Sequence, residues 1–286
     1  MDQNRRSGKI SALRVAFQGE LGAFSQQAVS QLAGPRAKPV PKQRFEDVFR
    51  ALEAGEVDAA ALPIENTLAG SVHENYDLLL KYDFEITAET NVRIVHHLIA
   101  APEVSFTSIR RVFSHPVALN QCLDFFARHR RIERVPFYDT AGSVKMVMEE
   151  KPAGAAAIAS ELAAKLYGAK ILKREIEDDR RNFTRFFLLE KSGAAPRGRG
   201  RDWKTSLVFS TRNAPGSLFR ALSALALRDL NLAKIESRPR RGKPWEYMFY
   251  LDVRAHRDEP RMKNALSHLS EVADFLRVLG SYRAAR

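Results

Sequence analysis

The sequence predicts an α/β protein carrying a second, smaller α+β domain at its C-terminal end. Three observations carry that reading. Up to residue 190, short apolar runs alternate with segments whose apolar residues recur at helical spacing, the pattern of strands joined by helices. Residues 191–203 are rich in Gly, Ala, Pro and Arg and read as a linker. Beyond them the chain spells strand, helix, strand, strand, helix, strand, the split βαββαβ unit.

Taken in order, residues 13–18 form an apolar strand that runs into Gly19-Glu20-Leu21-Gly22-Ala23-Phe24-Ser25 and a helix ending near Leu32. Glycines there allow either a tight strand–helix turn or a small-anion site on helix N–H groups. The spacing is not that of a dinucleotide fingerprint, and no acidic residue ends the next strand, so a nucleotide cofactor is not expected. Phe45, Val48, Phe49 and Leu52 fall on one helical face, closed by Gly55. The nearly continuous apolar run 57–64 reads as a strand buried on both faces, followed by Glu65-Asn66-Thr67-Leu68-Ala69-Gly70-Ser71 and a helix through Tyr76 to Leu80. Residues 84–89 and 92–100 read as two strands, and 112–114 as a third leading into Ser114-His115-Pro116. A helix is expected over 117–128, because Pro116 suits a first turn. Strands at 134–138 and 155–159 and helices opening near Asp139 and at Glu161 continue a rhythm that argues for parallel α/β architecture. After the linker come a strand at 205–211, a helix from Pro215-Gly216-Ser217 with Leu218, Leu222 and Leu225 on one face, and a strand at 232–238. A hairpin into 245–253, a helix over 260–275 and a strand to Tyr282 complete the domain.

Composition narrows the function classes. The chain has 286 residues, 45% hydrophobic and 28% charged, enough for two or more domains with proper cores. The single cysteine, Cys122, rules out an internal disulfide framework and fits a reducing compartment. No apolar run approaches a spanning helix and residues 1–14 lack a signal-peptide core, so a cytoplasmic protein without a membrane partner is expected. The net charge of +12 is local: residues 1–190 carry 26 Lys and Arg against 25 Asp and Glu, the remainder 20 against 9. The excess sits in the linker (Arg197, Arg199, Arg201) and one hairpin (Arg238, Arg240, Arg241, Lys243), with few aromatics between. It reads as solvated surface, and no nucleic-acid partner is expected. His96 and His97, adjacent on a strand, face opposite sides and make no metal pair, and Cys122 reads as a core residue of its helix.

A candidate site is the stretch Arg181-Asn182-Phe183-Thr184-Arg185-Phe186-Phe187, where a charged run gives way to an apolar strand, although by pattern alone Thr184 reads more readily as a strand residue and Arg185 as a surface charge. That loop brings a hydroxyl, Thr184, and a fixed cation, Arg185, to a strand end, where ligands are met in α/β proteins.

The motifs, in this order, resemble those of the monofunctional prephenate dehydratases over 13–282. They are the Gly19–Ser25 stretch, Pro63-Ile64-Glu65-Asn66-Thr67 with Gly70-Ser71, Ser114-His115-Pro116 with Gln121-Cys122, and Asn182-Phe183-Thr184-Arg185-Phe186. The tail resembles the ACT regulatory domain of these enzymes through Pro215-Gly216-Ser217-Leu218 and Ile235-Glu236-Ser237-Arg238-Pro239. The resemblance implies a two-lobed, type 2 periplasmic-binding-protein-like catalytic domain over 13–190, with lobe 1 about 13–90 and 171–190 and lobe 2 about 91–170. A linker at 191–203 and a ferredoxin-like ACT domain at 204–284 follow.

The resemblance also implies the reaction, in which prephenate loses carbon dioxide and its ring hydroxyl to give phenylpyruvate. Arogenate dehydration is the near alternative, and a non-catalytic amino-acid sensor the remote one. Thr184 maps onto the proton donor. Asn66, Ser114 and Gln121 map onto its network, while Thr67, Gly70, Ser71, Asn182 and Phe186 map onto the substrate surroundings. Arg185 either holds a carboxylate or braces its loop. Glu65, beside a dianion, needs to be protonated or turned outward, and His115 reads as structural. No metal or cofactor is implied. L-Phenylalanine is the implied effector, held by Asn213, Ala214, Gly216, Ser217 and Leu218, with Glu236 and Ser237 from a partner subunit in a homodimer or homotetramer.

Overall fold

The computed structural model describes residues 12–197, 202–240, 242–243 and 245–285. Residues 1–11, Arg199 and Arg201 of the linker, and Arg241 of the hairpin lie outside the described residues. In chain order the elements are β1 Arg14–Gln18, α1 Phe24–Ala33, β2 Lys38–Lys42, α2 Phe45–Glu53, β3 Ala59–Asn66, β4 Gly70–Ser71, α3 His73–Lys81, β5 Phe84–Arg93 and β6 His97–Ala100. There follow β7 Arg111–Ser114, α4 Pro116–Asn120, α5 Leu123–Arg128, β8 Glu133–Pro136, α6 Thr140–Glu150, β9 Ala155–Ala159, α7 Glu161–Leu166, β10 Lys170–Lys173 and β11 Phe183–Lys191. The last elements are β12 Trp203–Ser210, α8 Ser217–Ala226, β13 Leu232–Pro239, β14 Tyr247–Val253, α9 Pro260–Val272 and β15 Phe275–Arg283. Contacts divide the chain into two compact units, one of residues up to 61 with 94–181, the other of 62–93 with 182 onward.

In the first unit β2, β1 and the start of β3 pair in parallel, with Val15 opposite Ala59 and Ala16 opposite Ala60. The outer strand β2 carries Pro39 and Pro41, which lack the N–H that a central strand would need. Helix α2 turns Val48, Phe49 and Leu52 inward, all fully buried. A second sheet in the order β10-β6-β9-β7-β8 is backed by Leu98, Val112, Ile158, Phe125 and Cys122.

In the second unit the end of β3 neighbours β11, which pairs antiparallel with β5 from Phe183 opposite Arg93 to Lys191 opposite Phe84. The short β4 folds back on β3, placing Ser71 opposite Glu65 and Gly70 opposite Asn66. A four-stranded sheet, β13-β14-β12-β15, packs α8 and α9 through Leu207, Phe209, Leu225, Met262 and Leu269.

Four expectations change. The α/β sheets are mixed rather than parallel, because no helix separates β5 from β6 or β10 from β11, and antiparallel neighbours need no crossover. The two strands expected over 84–100 are present, but the break falls at 94–96 and not at 90–91, since β11 supplies a ladder along the whole of β5. The expected 117–128 helix is two helices: the Asp178 carboxylate accepts from Leu123 N (2.7 Å) and Asp124 N (3.0 Å) and starts α5 afresh. Cys122 therefore sits between helices, fully buried, and burial pushes its thiol pKa up. Strand β11 begins at Phe183, so Thr184 and Arg185 are strand residues and not loop residues.

Candidate active site

Two strand ends of the second unit build the polar cluster expected of Thr184. Asn66, last residue of β3, turns its carboxamide oxygen onto Leu68 N (3.0 Å) and Ala69 N (2.8 Å), an Asx turn that aims its nitrogen the other way. That Nδ2 donates to Asn182 Oδ1 at 2.7 Å, Thr184 Oγ1 at 2.9 Å and the Phe183 carbonyl at 3.2 Å. Thr67 closes the arrangement, its amide on the Phe183 carbonyl (2.9 Å) and its hydroxyl accepting from Phe183 N (3.0 Å). Gly70, at φ 82°, makes the return into β4 in the left-handed region that a side chain disfavours. Thr184 is 9% exposed and Asn182 fully buried. A hydroxyl that accepts from Asn66 keeps its own proton to donate, and the bond draws electron density from the oxygen. Phe186, two residues on, is a buried core residue.

Arg185 is not a surface charge. Its Nε donates to Glu89 Oε2 (2.7 Å), Nη1 to Asp252 Oδ2 (2.5 Å) and Nη2 to the Tyr282 hydroxyl (3.0 Å). All three nitrogens are held within the chain, which is the bracing geometry of the two alternatives the sequence leaves. Glu65 meets Lys234 Nζ at 3.0 Å. Lys234 also donates to Ser71 Oγ (3.2 Å), and Ser71 in turn donates to Glu236 Oε2 (2.8 Å). Glu236 thus reaches Ser71 of its own chain, and its neighbour Ser237 leaves the opposite face of β13. Its carboxyl pKa stays below the usual range although burial opposes it, because Ser71, Lys234 and His73 stabilise the anion. The sequence pointed to Glu65, Ser71 and Glu236, but not to Lys234, which joins them; a lone lysine between alternating residues of an edge strand carries no signal of its own.

The first unit holds the other predicted residues. Ser114 is fully buried and donates to the Ile158 carbonyl at 2.6 Å, so its proton is engaged by backbone. His115 caps α4, its Nδ1 accepting from Val117 N at 3.3 Å. Gln121 Oε1 lies 2.9 Å from His96 Nε2. His96 is buried and packs edge-on against Phe24, and burial lowers its pKa to about 4, so at neutral pH the ring is uncharged and that nitrogen can carry the hydrogen. The sequence offered no pairing for His96. The Gly19–Ser25 turn is packed rather than open: a Cβ on Gly19 would lie 2.8 Å from Asp139 Oδ2, and one on Gly22 2.8 Å from Ala163 Cα. The amides of Gly19, Gly22 and Ala23 are taken by Lys42 O, Gln26 Oε1 and Glu20 O, which is the tight turn and not the anion site.

In the C-terminal domain Gly216 enters α8 at φ 75°, and Asn213, Ala214, Ser217 and Leu218 line a 110 Å³ cavity with Trp245 and Phe249. Ser217 N bonds the Ala214 carbonyl (3.1 Å) and Ser217 Oγ accepts from Arg220 (3.2 Å). Among the described residues no His, Cys, Asp or Glu group is arranged to hold a metal ion, and no helix is long and apolar enough to cross a membrane.

A buried hydroxyl–carboxamide cluster on a mixed α/β scaffold, followed in the chain by a βαββαβ domain, defines a class: an α/β protein with an appended ferredoxin-like domain. The family model described as prephenate dehydratase matches residues 15–194, and that described as ACT domain matches residues 205–270. The chain belongs to the prephenate dehydratase family and carries a C-terminal ACT domain. It is 45% identical over 281 residues to arogenate dehydratase/prephenate dehydratase 2, chloroplastic, of Arabidopsis thaliana, covering 95% of this chain and 73% of that one. A structure of prephenate dehydratase in complex with L-Phe from Arthrobacter aurescens superposes with a TM-score of 0.87 at 33% identity, covering 95% of this chain and 90% of that one. A chain described as GqqA, a novel type of quorum quenching acylases, superposes with a TM-score of 0.86 at 35% identity, covering 95% and 98%.

Proposed function

We propose that this chain is a hydro-lyase converting prephenate to phenylpyruvate, with Thr184 as proton donor. In the reaction the bond to the ring carboxylate breaks and its electron pair enters the ring. The ring C–O bond breaks, and the leaving oxygen takes the Thr184 proton to depart as water; solvent returns the proton to Thr184. Aromatisation supplies the driving force, so the protein's task is orientation and protonation. The observation that carries this reading is the 2.9 Å bond from Asn66 Nδ2 to a Thr184 oxygen that retains its own hydrogen. Thr67, Gly70 and Asn182 fix that cluster, and Ser114 and Gln121 are proposed to contribute to substrate binding. Glu65, Ser71, Arg185 and Phe186 act by supporting it.

The names of the curated relatives favour a second reading, arogenate as substrate and phenylalanine as product, since several, including arogenate dehydratase 2 of Petunia hybrida at 43% identity, are described that way. L-Phenylalanine is the proposed effector, supported by the ACT domain and by the phenylalanine-bound relative, with Asn213, Ala214, Gly216, Ser217 and Leu218 around its carboxylate. We place the protein in the cytosol as a homo-oligomer, with a catalytic domain at 13–190, a linker at 191–203 and the ACT domain at 204–284. The test supplies prephenate and arogenate separately and follows phenylpyruvate and phenylalanine, with Thr184→Val alongside. Turnover of neither substrate sinks the proposal, and turnover of arogenate alone transfers it to the second reading.

A further inference from the structure

The residue that follows the proposed proton donor is held from the ACT domain. Arg185, with a side chain 12% exposed, bridges Glu89 on β5 and Asp252 on β14. Asp252 Oδ1 accepts from Ser206 Oγ (2.5 Å) on β12, and Ser206 Oγ lies 2.6 Å from the Tyr282 hydroxyl on β15. Glu89 Oε1 takes Lys204 Nζ (2.7 Å) and the amide of Ala285 (2.8 Å). Two cations and two carboxylates thus neutralise one another out of water, with a fully buried tyrosine between them. Breaking one partner of such a set leaves a buried charge uncompensated.

We propose that Asp252, acting through Arg185, is a positioning residue for the Thr184 hydroxyl, so that the ACT domain holds the proton donor in line by an ion pair. The inference rests on the reading of Thr184 given above. Thr184 and Arg185 are consecutive in β11, so their side chains leave opposite faces of one strand. Threonine is stiff at χ1, and the direction of its Oγ1 therefore follows the backbone at that residue. Asn66 fixes the strand from the hydroxyl face and Asp252 from the guanidinium face. Loosening either lets the oxygen wander, and a displacement of about 1 Å costs on the order of 100-fold in rate.

The experiment compares wild type, Asp252→Asn, Tyr282→Phe and Glu190→Gln. Glu190 lies on the same strand, buried and bound to Thr87 Oγ1 (2.7 Å) and Arg197 (2.7 and 2.8 Å), but away from Thr184, so it serves as the matched control. Asp252→Asn is expected to lower kcat about 10-fold or more while KM stays within about twofold. Hydrogen exchange should rise at amides 183–186, Tyr282→Phe should move both readouts the same way by less, and Glu190→Gln should move neither. If Asp252→Asn does not fold, Tyr282→Phe decides alone. A kcat within twofold of wild type, a rise in KM alone, or an equal loss in Glu190→Gln overturns the proposal. A wild type inactive on both substrates overturns the assigned reaction instead, and the exchange pattern still decides whether Asp252 positions the strand.

Discussion

Replacing Asn66 by aspartate alters the chemistry of one atom at nearly constant volume. The carboxamide oxygen keeps its duty toward Leu68 N and Ala69 N, so the turn retains its acceptor. The nitrogen that faced Thr184 Oγ1, Asn182 Oδ1 and the Phe183 carbonyl becomes an oxygen facing three oxygens. Buried acceptors stripped of a donor cost about 1–3 kcal/mol of stability. Asn182 can relieve part of the repulsion by turning over its buried, unpartnered Nδ2, and the Thr184 hydrogen relieves the rest by turning toward the introduced carboxylate and away from substrate. General-acid assistance is worth on the order of 10²–10⁴ in rate, so kcat at neutral pH should fall about 100-fold or more. The crowded acceptors raise the pKa of the introduced carboxyl, and its protonated form restores one O–H donor toward Thr184. Activity of Asn66→Asp should therefore climb as pH is lowered from 8 toward 5, whereas Asn66→Ala stays low throughout. Product formation against pH, with thermal unfolding in parallel, reads both effects. An Asn66→Asp enzyme within threefold of wild type at neutral pH would refute the donor arrangement.

Thr184→Val should lower kcat by roughly 10²–10⁴ with the fold intact, while Thr184→Ser, which keeps a hydroxyl on a freer χ1, recovers part of it in steady-state assays. His96, buried with its pKa lowered to about 4, is neutral when folded and is protonated first in the unfolded chain. Its contribution is complete above about pH 6.5 and is lost as pH falls toward 4. Urea midpoints should report about 2 kcal/mol less stability at pH 5 than at pH 7.5, a loss that His96→Phe abolishes. Gly280 of β15 faces the Ile86 backbone so closely that a methyl would overlap it, and Gly280→Ala should cost about 1–3 kcal/mol or more in thermal unfolding. Gly216→Val, placing a branched side chain at φ 75° where α8 begins, should weaken inhibition by phenylalanine in the same product assay, and unchanged inhibition removes that end of the helix from the effector site.

Local pattern was enough for the C-terminal βαββαβ unit, whose helices carry leucines at regular spacing between four short apolar strands. It also set Asn66 and Thr184 at strand ends, where the structure brings them within 2.9 Å, but their proposed roles came from the family resemblance and not from the pattern. It failed where a distant residue decides the outcome. Nothing between 117 and 128 announces a break, because the carboxylate that restarts the helix belongs to Asp178. The strands expected at 84–89 and 92–100 leave Thr90 and Asn91 as a break, yet β5 runs through them because β11 lies alongside. Arg185 read as a charge on a loop. Its burial depends on Glu89 and Asp252, the latter 67 residues further along the chain, and one-dimensional spacing has no means of bringing them together.

Glu65 shows how such long-range partners change a chemical argument. In the proposed site for a dianion, a carboxylate next to Asn66 opposes binding unless its charge is met. Lys234, with a side chain 10% exposed, stands 3.0 Å from Glu65 and 3.5 Å from Glu236, and Ser71 joins the same group. The single lysine is shared by the two carboxylates and so offsets the Glu65 charge only in part. Its position on β13 also means that the β3–β4 turn bearing Asn66 is tied to the ACT domain, just as β11 is tied through Asp252. The segments bearing the Thr184 hydroxyl and the Asn66 carboxamide are therefore each anchored to the same sheet by a separate ion pair. A shift of β13 relative to β14 would change the 2.9 Å bond between them, whereas a movement of the whole sheet would carry both together and leave it intact.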